Sequence, residues 1–328
     1  MIKWRCNMYY PYFRGRQNEL LCLRELLEAN RLSDCIMPVL EPVKFSSTFF
    51  TTLKKFIEKD REVIVIINPS VGKFVKEYTK ALKDVEVDEK NEKLQKTMKE
   101  YKEILKDEHI RKAYIVNSRV INNVLELTEE KRKKIYLINS NKGDEDFYVE
   151  HGEELFVAAS FIPKDEDFKD EVVGNAIILE DCYDKAKRNV DYMDNPDVLF
   201  SKNHLIFKRR GYQGFSDYSI VGNEYEESGF APLAIAIHIV YLGDRNELRV
   251  HHFVSDSNEN ISDPARKFEE AMEKLVQWEK IERVKYTKGL MGLINYYENG
   301  RFPGLGVIKK FSLMHHVELM GRFLEDKE

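Results

Sequence analysis

The chain has 328 residues, 43% hydrophobic and 33% charged, enough for one large domain or two ordinary ones with a sizeable core and a solvated surface. With 52 Lys and Arg against 57 Asp and Glu, the net charge of -5 argues against a general polyanion binder, so nucleic acid is not indicated as a partner. No window approaches the roughly eighteen apolar residues of a membrane span, residues 1–12 hold no signal-like apolar stretch, and Cys6, Cys22, Cys35 and Cys182 show neither Cys-x-x-Cys pairing nor zinc spacing. The cysteines therefore read as reduced thiols, and the expectation is a cytoplasmic protein with no membrane contact.

Along the chain a short apolar run, a polar residue and a helical stretch recur. Residues 9–13 form the first run. It leads through Arg14-Gly15-Arg16 into residues 17–28, where Leu20, Leu23, Leu26 and Leu27 fall at helical spacing. The second run, 36–40, ends at Glu41-Pro42, and a helix over about 47–58 follows with Ser46 or Ser47 as its cap. Residues 63–67 read Val-Ile-Val-Ile-Ile, the pattern of a strand buried on both faces, and end at Asn68-Pro69. Residues 71–107 are heavily charged, with an apolar stripe at Leu94, Met98, Tyr101 and Leu105. This predicts a long exposed helix or helical hairpin; the sharper alternative is a partner-docking helix.

Further runs at 113–116, 134–138, 155–159, 176–179 and 217–221 end at Asn117, Asn139, Ser160, Glu180-Asp181 and Gly222-Asn223. Alternation of this kind implies parallel strands with helical crossovers. Eight such units predict an α/β fold, a (β/α)8 TIM-like barrel, with a doubly wound open sheet as the alternative. Apolar runs at 233–241 and 248–254 around Gly243-Asp244-Arg245-Asn246 predict an added β-hairpin. A helix over 263–278 starts with Asp263 as cap and Pro264 in the first turn, and a Gly-rich segment around 289–306 precedes a short C-terminal helix. The expected organisation is one barrel-like domain over 1–328, with a charged helical insertion at about 72–110 and a hairpin plus helices at about 230–328.

In parallel α/β folds ligands bind at the carboxyl ends of the strands. Arg14, Arg16, Glu41, Asn68, Asn117, Asn139, Ser160, Glu180 and Asp181 are thus the candidates. Arg14 and Arg16 flank a glycine and suit bidentate contacts to phosphate or carboxylate; the alternative is a structural salt bridge to Glu41 or Glu19. Asn68 and Asn117 would bind ligand or cap the following helices. Glu41, Glu180 and Asp217 are the candidate catalytic carboxyls, although turn and loop roles compete for the last two. His238 and His252 lie on the two hairpin strands, where they would meet across it or fill ordinary half-buried positions. No metal is indicated, no cofactor is specified, and Ser70-Val71-Gly72-Lys73 lacks the first glycine of a phosphate loop.

The segments Tyr10-Pro11-Tyr12-Phe13-Arg14-Gly15-Arg16-Gln17-Asn18-Glu19-Leu20, Ile36-Met37-Pro38-Val39-Leu40-Glu41-Pro42-Val43 and Ile66-Ile67-Asn68-Pro69 resemble the opening of a bacterial family known only by a locus-tag name, distantly similar to the family called beta protein. Gly214-Phe215-Ser216-Asp217-Tyr218 and His252-Phe253-Val254-Ser255 fit the same resemblance. It implies a gene neighbourhood with a second, nuclease-like protein, and hence a role in phage defence as half of a two-protein system. It assigns no catalytic residue. Two functions follow as expectations: a barrel that acts on or binds a phosphate-bearing or nucleotide ligand, and a non-catalytic binding or regulatory subunit of the nuclease-like partner.

Overall fold

The β-branched run Val63-Ile64-Val65-Ile66 forms a strand with all four residues buried, as a segment covered on both faces requires. In the computed structural model, which describes residues 8–87, 92–139, 141–227 and 231–326, it is the third strand of a parallel sheet. Strand β1 consists of two segments, Met8–Tyr9 and Tyr12–Phe13. It is followed by β2 (Val39–Leu40), β3 (Val63–Ile66), β4 (Ile110–Ile115), β5 (Ile135–Ile138), β6 (Ala159–Ile162) and β7 (Ala176–Glu180). Strand β8 (Asp197–Ser201) leaves the sheet, and β9 (Gly214–Asp217) returns to pair parallel with β7.

Closure happens at β1. Its first segment pairs with β9 and its second with β2, so eight parallel strands form a nearly closed barrel surrounded by helices. The open-sheet alternative is set aside. The seam lies at Tyr10-Pro11, where proline supplies no N–H to the ladder. There Tyr10 N–H donates to the Phe215 carbonyl at 2.9 Å, and the Ser216 hydroxyl donates to the Tyr10 carbonyl at 2.6 Å, a side chain completing what the backbone leaves open.

Alternation along each strand sorts the side chains. Tyr10, Tyr12, Met37, Val39, Ile64, Ile66, Ala113, Tyr136, Ile138, Phe161, Ile177 and Leu179 form one buried cluster inside the barrel, a packed core rather than a channel. Their neighbours, including Tyr9, Phe13, Val65, Leu137 and Phe215, belong to the separate layer beneath the helices.

Several expected boundaries move. The sixth strand begins at Ala159, where the apolar run 155–159 was expected to end. The eighth barrel strand is Gly214–Asp217, so residues 217–221 are not a strand and Asp217 ends one instead of beginning it. The hairpin is present as β10 (Ala236–Leu242) and β11 (Leu248–Val254), and β8 joins it to make a three-stranded antiparallel sheet. The charged insertion contains two helices, Phe74–Val87 and Glu92–Ile104; residues 88–91 of it, like Cys6, lie outside the described residues. Its stripe is not a free docking face. Met98, Tyr101 and Ile104 are buried, and the Tyr101 ring packs among Phe45, Phe50, Phe74 and Tyr78.

The largest departure is at the C-terminus. Residues 289–306 contain a helix, Lys288–Glu298, and the last helix, Leu305–Glu325, is 21 residues long. It is buried along most of its length against helices Gln17–Glu28 and Lys288–Glu298 and strand β10, which explains why it carries no clean apolar stripe. Several of its buried polar groups are paired, while among the described residues His316 Nε2 is left without a partner. His315 Nε2 donates to the Val240 carbonyl at 2.6 Å and its Nδ1 accepts from Thr287 Oγ1 at 2.8 Å, a neutral imidazole whose pKa burial lowers to about 4. Lys310 reaches Glu25 at 2.6 Å, and Glu318 accepts from the Lys288 N–H at 2.6 Å.

Cys35, expected as a reduced thiol, is disulfide-bonded, while Cys22 and Cys182 are free; cysteine usage therefore no longer argues for a reducing compartment. Among the described residues no helix is long and apolar enough to cross a membrane.

The close crossing of the last two helices is a point of high sensitivity. A Cβ at Gly289 would fall inside contact distance of the Phe311 carbonyl and the His315 nitrogen, both backbone, whereas one at Gly143 would meet nothing. We expect G289A to lower the unfolding free energy by about 2 kcal/mol or more through forced separation of the helices, with G143A within about 0.5 kcal/mol of the parent. Equal denaturation midpoints for the two variants would contradict this packing.

Candidate functional site

Glu41 follows β2 on its inward-facing register and is fully buried. Its carboxylate is met by four donors. Oε2 accepts from Tyr12 Oη at 2.7 Å and from Arg14 Nη1; Oε1 accepts from the Ser70 N–H at 2.7 Å and the Ser70 hydroxyl at 2.9 Å. Arg14, two residues past Tyr12 on the same face, is 8% exposed and lies between the Tyr12 and Tyr218 rings, 5.2 and 5.4 Å from their centroids. Its Nη2 donates to the Asn223 carbonyl in the loop after β9. Burial holds the Tyr218 phenol up at about 12 and raises that of Tyr12 as well, with Glu41 adding to the effect, so both rings keep their protons. Gly15 makes this loop fit: it takes φ +60°, and a Cβ there would stand 3.0 Å from the Glu41 carbonyl.

Asp181, following Leu179 on the inward register of β7, completes the rim. It accepts from the Asn223 N–H at 2.8 Å and the Tyr183 N–H at 3.1 Å. The barrel mouth on this side is therefore occupied by an internal polar network, in which, among the described residues, the buried Arg14 Nε alone of these groups finds no hydrogen-bond partner.

The other candidates divide by side. Arg14 and Glu41 are brought together. Arg16 turns outward to donate to the Glu226 carbonyl and lies 4.7 Å from the Tyr225 ring. Asn68 is neither cap nor free ligand: its side chain exchanges two hydrogen bonds of 2.9 Å with the Ile115 backbone and so prolongs the β3–β4 ladder. Asn117 caps helix Ser118–Leu125 by accepting from the Val120 N–H at 3.0 Å. Asn139 and Ser160 both bind Tyr148 Oη in the outer layer.

Glu180 faces away from the barrel axis, accepting from Asn203 at 2.7 Å with Lys164 at 3.5 Å. Asp217 also points out, buried beneath the last helix, where it accepts from Tyr9 Oη at 2.9 Å and from the Ser219 N–H at 2.7 Å. That second bond holds Ser219 at φ +51°, a conformation costly for a side-chain-bearing residue. The three expected carboxyls therefore do not converge.

Beside the mouth, across the loop carrying Asn223 and Glu226, opens a cavity of about 770 Å³. Its walls come from the segment after β7, the stretch leading into β10, and the start of the C-terminal helix. Lys185, Lys187, Arg188 and Lys309 line it, with Glu226 as the one carboxylate among the lining residues. Another part of the lining is made by Tyr183, Tyr192, Ile235 and His238. Tyr183 and Tyr192 share a hydroxyl–hydroxyl bond of 2.6 Å. His238 and His252 meet across the hairpin, Nδ1 to Nδ1 at 2.7 Å. Burial pushes both imidazoles below the usual histidine range, His252 to about 4, so one donates and the other accepts, and this part of the lining is uncharged near neutrality.

The cavity was not anticipated. The run Lys185-Ala186-Lys187-Arg188 directly after the Glu180-Asp181 strand end was its one local signal; Lys309 comes from more than a hundred residues away. Comparison with protein-family models, with curated proteins and with solved structures gives no match to this chain.

Two measurements test this geometry. R14A leaves Glu41 buried without its counter-ion and should cost about 3 kcal/mol or more; a loss under about 1 kcal/mol would show that the pair is not structural. Burial raises the Asp217 carboxyl to about 7, so the folded chain holds a proton that the unfolded chain, with its ordinary aspartate near 3.9, has released. Its contribution to stability is complete below about pH 4 and is lost as pH rises through about 7. D217N should flatten the pH dependence of stability across that window, and an unchanged slope would refute the assignment.

Proposed function

We propose that the protein is a binding barrel whose lateral cavity takes a phosphate-bearing ligand with a flat, largely apolar remainder, such as a nucleotide. The observation that carries this reading is the charge of the lining: four cations to one carboxylate, in a chain whose net charge is -5. Arginine and lysine together recognise phosphate oxygens by fork and by point charge. The neutral Tyr183, Tyr192 and His238 part of the lining suits an apolar remainder, and the volume lies within the usual range for small-molecule sites.

The carboxyls that acid–base chemistry would recruit support a receptor over a catalyst. Glu41 spends both oxygens on internal donors, and Glu180 and Asp217 are turned away from the axis. Within the two-protein phage-defence arrangement that the resemblance implies, this reading makes the chain the ligand-responsive, non-catalytic subunit of a nuclease-like partner.

AMP, pyrophosphate and adenosine separate the parts of the reading. A ligand at one hundred times its dissociation constant adds about 2.7 kcal/mol to stability. AMP and pyrophosphate should each raise the melting temperature of the parent, adenosine much less, and K187A/R188A should remove most of the AMP shift. Equal shifts from AMP and adenosine, or an AMP shift untouched in the double variant, would contradict it.

A further inference from the structure

The cations of the cavity are not equivalent. Lys185 is paired with Glu226 at 3.2 Å and Glu224 at 3.7 Å, and Arg188 with Asp191 at 2.6 Å. Lys187 is exposed. Lys309, near the start of the C-terminal helix, is largely covered, and among the described residues no ion pair or hydrogen bond reaches its amine. The charged groups around it are Glu19 and Glu226, which favour its ammonium form, and Arg16 and Lys185, which oppose it. Glu19 does not neutralise it by contact: no ion pair joins the two among the described residues, and the buried Glu19 carboxyl, whose pKa burial raises, faces the Arg14 and Arg16 backbone instead. Burial dominates at Lys309 as well and lowers its pKa. An unpaired, largely covered lysine lining a cavity beside other cations has the surroundings of a nucleophilic amine.

We propose that Lys309 is a carbonyl-capturing residue, so that the ligand class of this cavity is a phosphorylated aldehyde or ketone held as an imine, an inference that rests on the phosphate-binding reading above. The Nζ lone pair attacks the carbonyl carbon and the C=O π pair moves to oxygen. The nitrogen gives up its two protons, relayed by water, to that oxygen, which leaves as water as the C=N bond forms. Amine plus carbonyl gives imine plus water, with no oxidant or reductant. The paired Lys185 and Arg188 remain the phosphate contacts, and the Tyr183 and Tyr192 side of the cavity receives the carbon skeleton.

Pyridoxal 5′-phosphate is a suitable probe because it joins an aromatic ring, an aldehyde and a phosphate. The parent protein is treated with less than one equivalent, reduced with borohydride and mapped by peptide mass spectrometry. Lys309 should be labelled severalfold faster than Lys187. Excess AMP should suppress that labelling, and pyridoxal without its phosphate should give far less of it. K309R should lose the adduct; if this variant does not fold, the mapping on the parent decides alone. Labelling spread evenly over Lys187 and surface lysines, with the AMP shift intact, would overturn the imine while leaving the phosphate site standing. Loss of both the AMP shift and the protection would overturn the site itself.

Discussion

The Glu41 carboxylate, buried at the mouth of the barrel and met by four donors, is the constraint on which the rest of the molecule depends. Taking such a charge out of water costs several kcal/mol unless donors replace the lost hydration. Here they come from three places in the chain: Tyr12 in β1, Arg14 just after it, and Ser70 after β3. The same Arg14 reaches on to the Asn223 carbonyl after β9. One ion pair thereby ties β1, β2 and β3 to the loop on the far side of the seam, where Pro11 has interrupted the ladder. The barrel is closed by backbone pairing for most of its circumference and by this network at its weakest point.

Closure by an internal network has a consequence for function. A barrel usually exposes free side chains at the carboxyl ends of its strands. In this chain those positions on β1, β2, β3 and β4 are occupied by internal bonds: Arg14 with Glu41, Asn68 with the Ile115 backbone, Asn117 with its own helix. The cavity lies to the side, in the region bounded by the segment after β7, the added antiparallel sheet and the C-terminal helix. The additions to the barrel thus build a second concave surface, and the unpaired cation on it belongs to the last helix.

Much of this was legible in the sequence. Uninterrupted β-branched runs such as residues 63–66 and the polar residues ending them gave the parallel alternation, and Asp263-Pro264 gave a helix start that the structure confirms by a side-chain bond to the Arg266 N–H at 3.1 Å. Boundaries failed where local composition misleads. Gly214-Phe215-Ser216-Asp217 is too polar to stand out beside Tyr218-Ser219-Ile220-Val221, yet burial against Tyr9 and Tyr10 makes it the strand. Strand β8 is five residues long and found its partner only through β11. The C-terminal helix, buried on most sides with polar residues such as Lys310, His315 and Glu318 among its buried positions, offered no apolar periodicity.

The site was legible in part. Arg14 and Glu41 were correctly drawn together by their places at strand ends, but sequence alone left ligand binding and internal pairing equally open; only burial decides between them. The side chosen at a strand end is set by the two-residue register. That register turns Asp181 inward and Glu180 and Asp217 outward, reversing the expected roles of the acids. The cavity could not be assembled from sequence, because Lys185 and Lys309 are brought to one wall by the fold and share no motif.

The central claim is that ligand enters the lateral cavity while the barrel mouth stays closed by Glu41 and Arg14. A crystal structure of the protein soaked with pyrophosphate tests it most directly. The account requires the anion among Lys185, Lys187, Arg188 and Lys309, with the Arg14–Glu41 pair unbroken. Pyrophosphate on the barrel axis, bound by an Arg14 that has released Glu41, would contradict it.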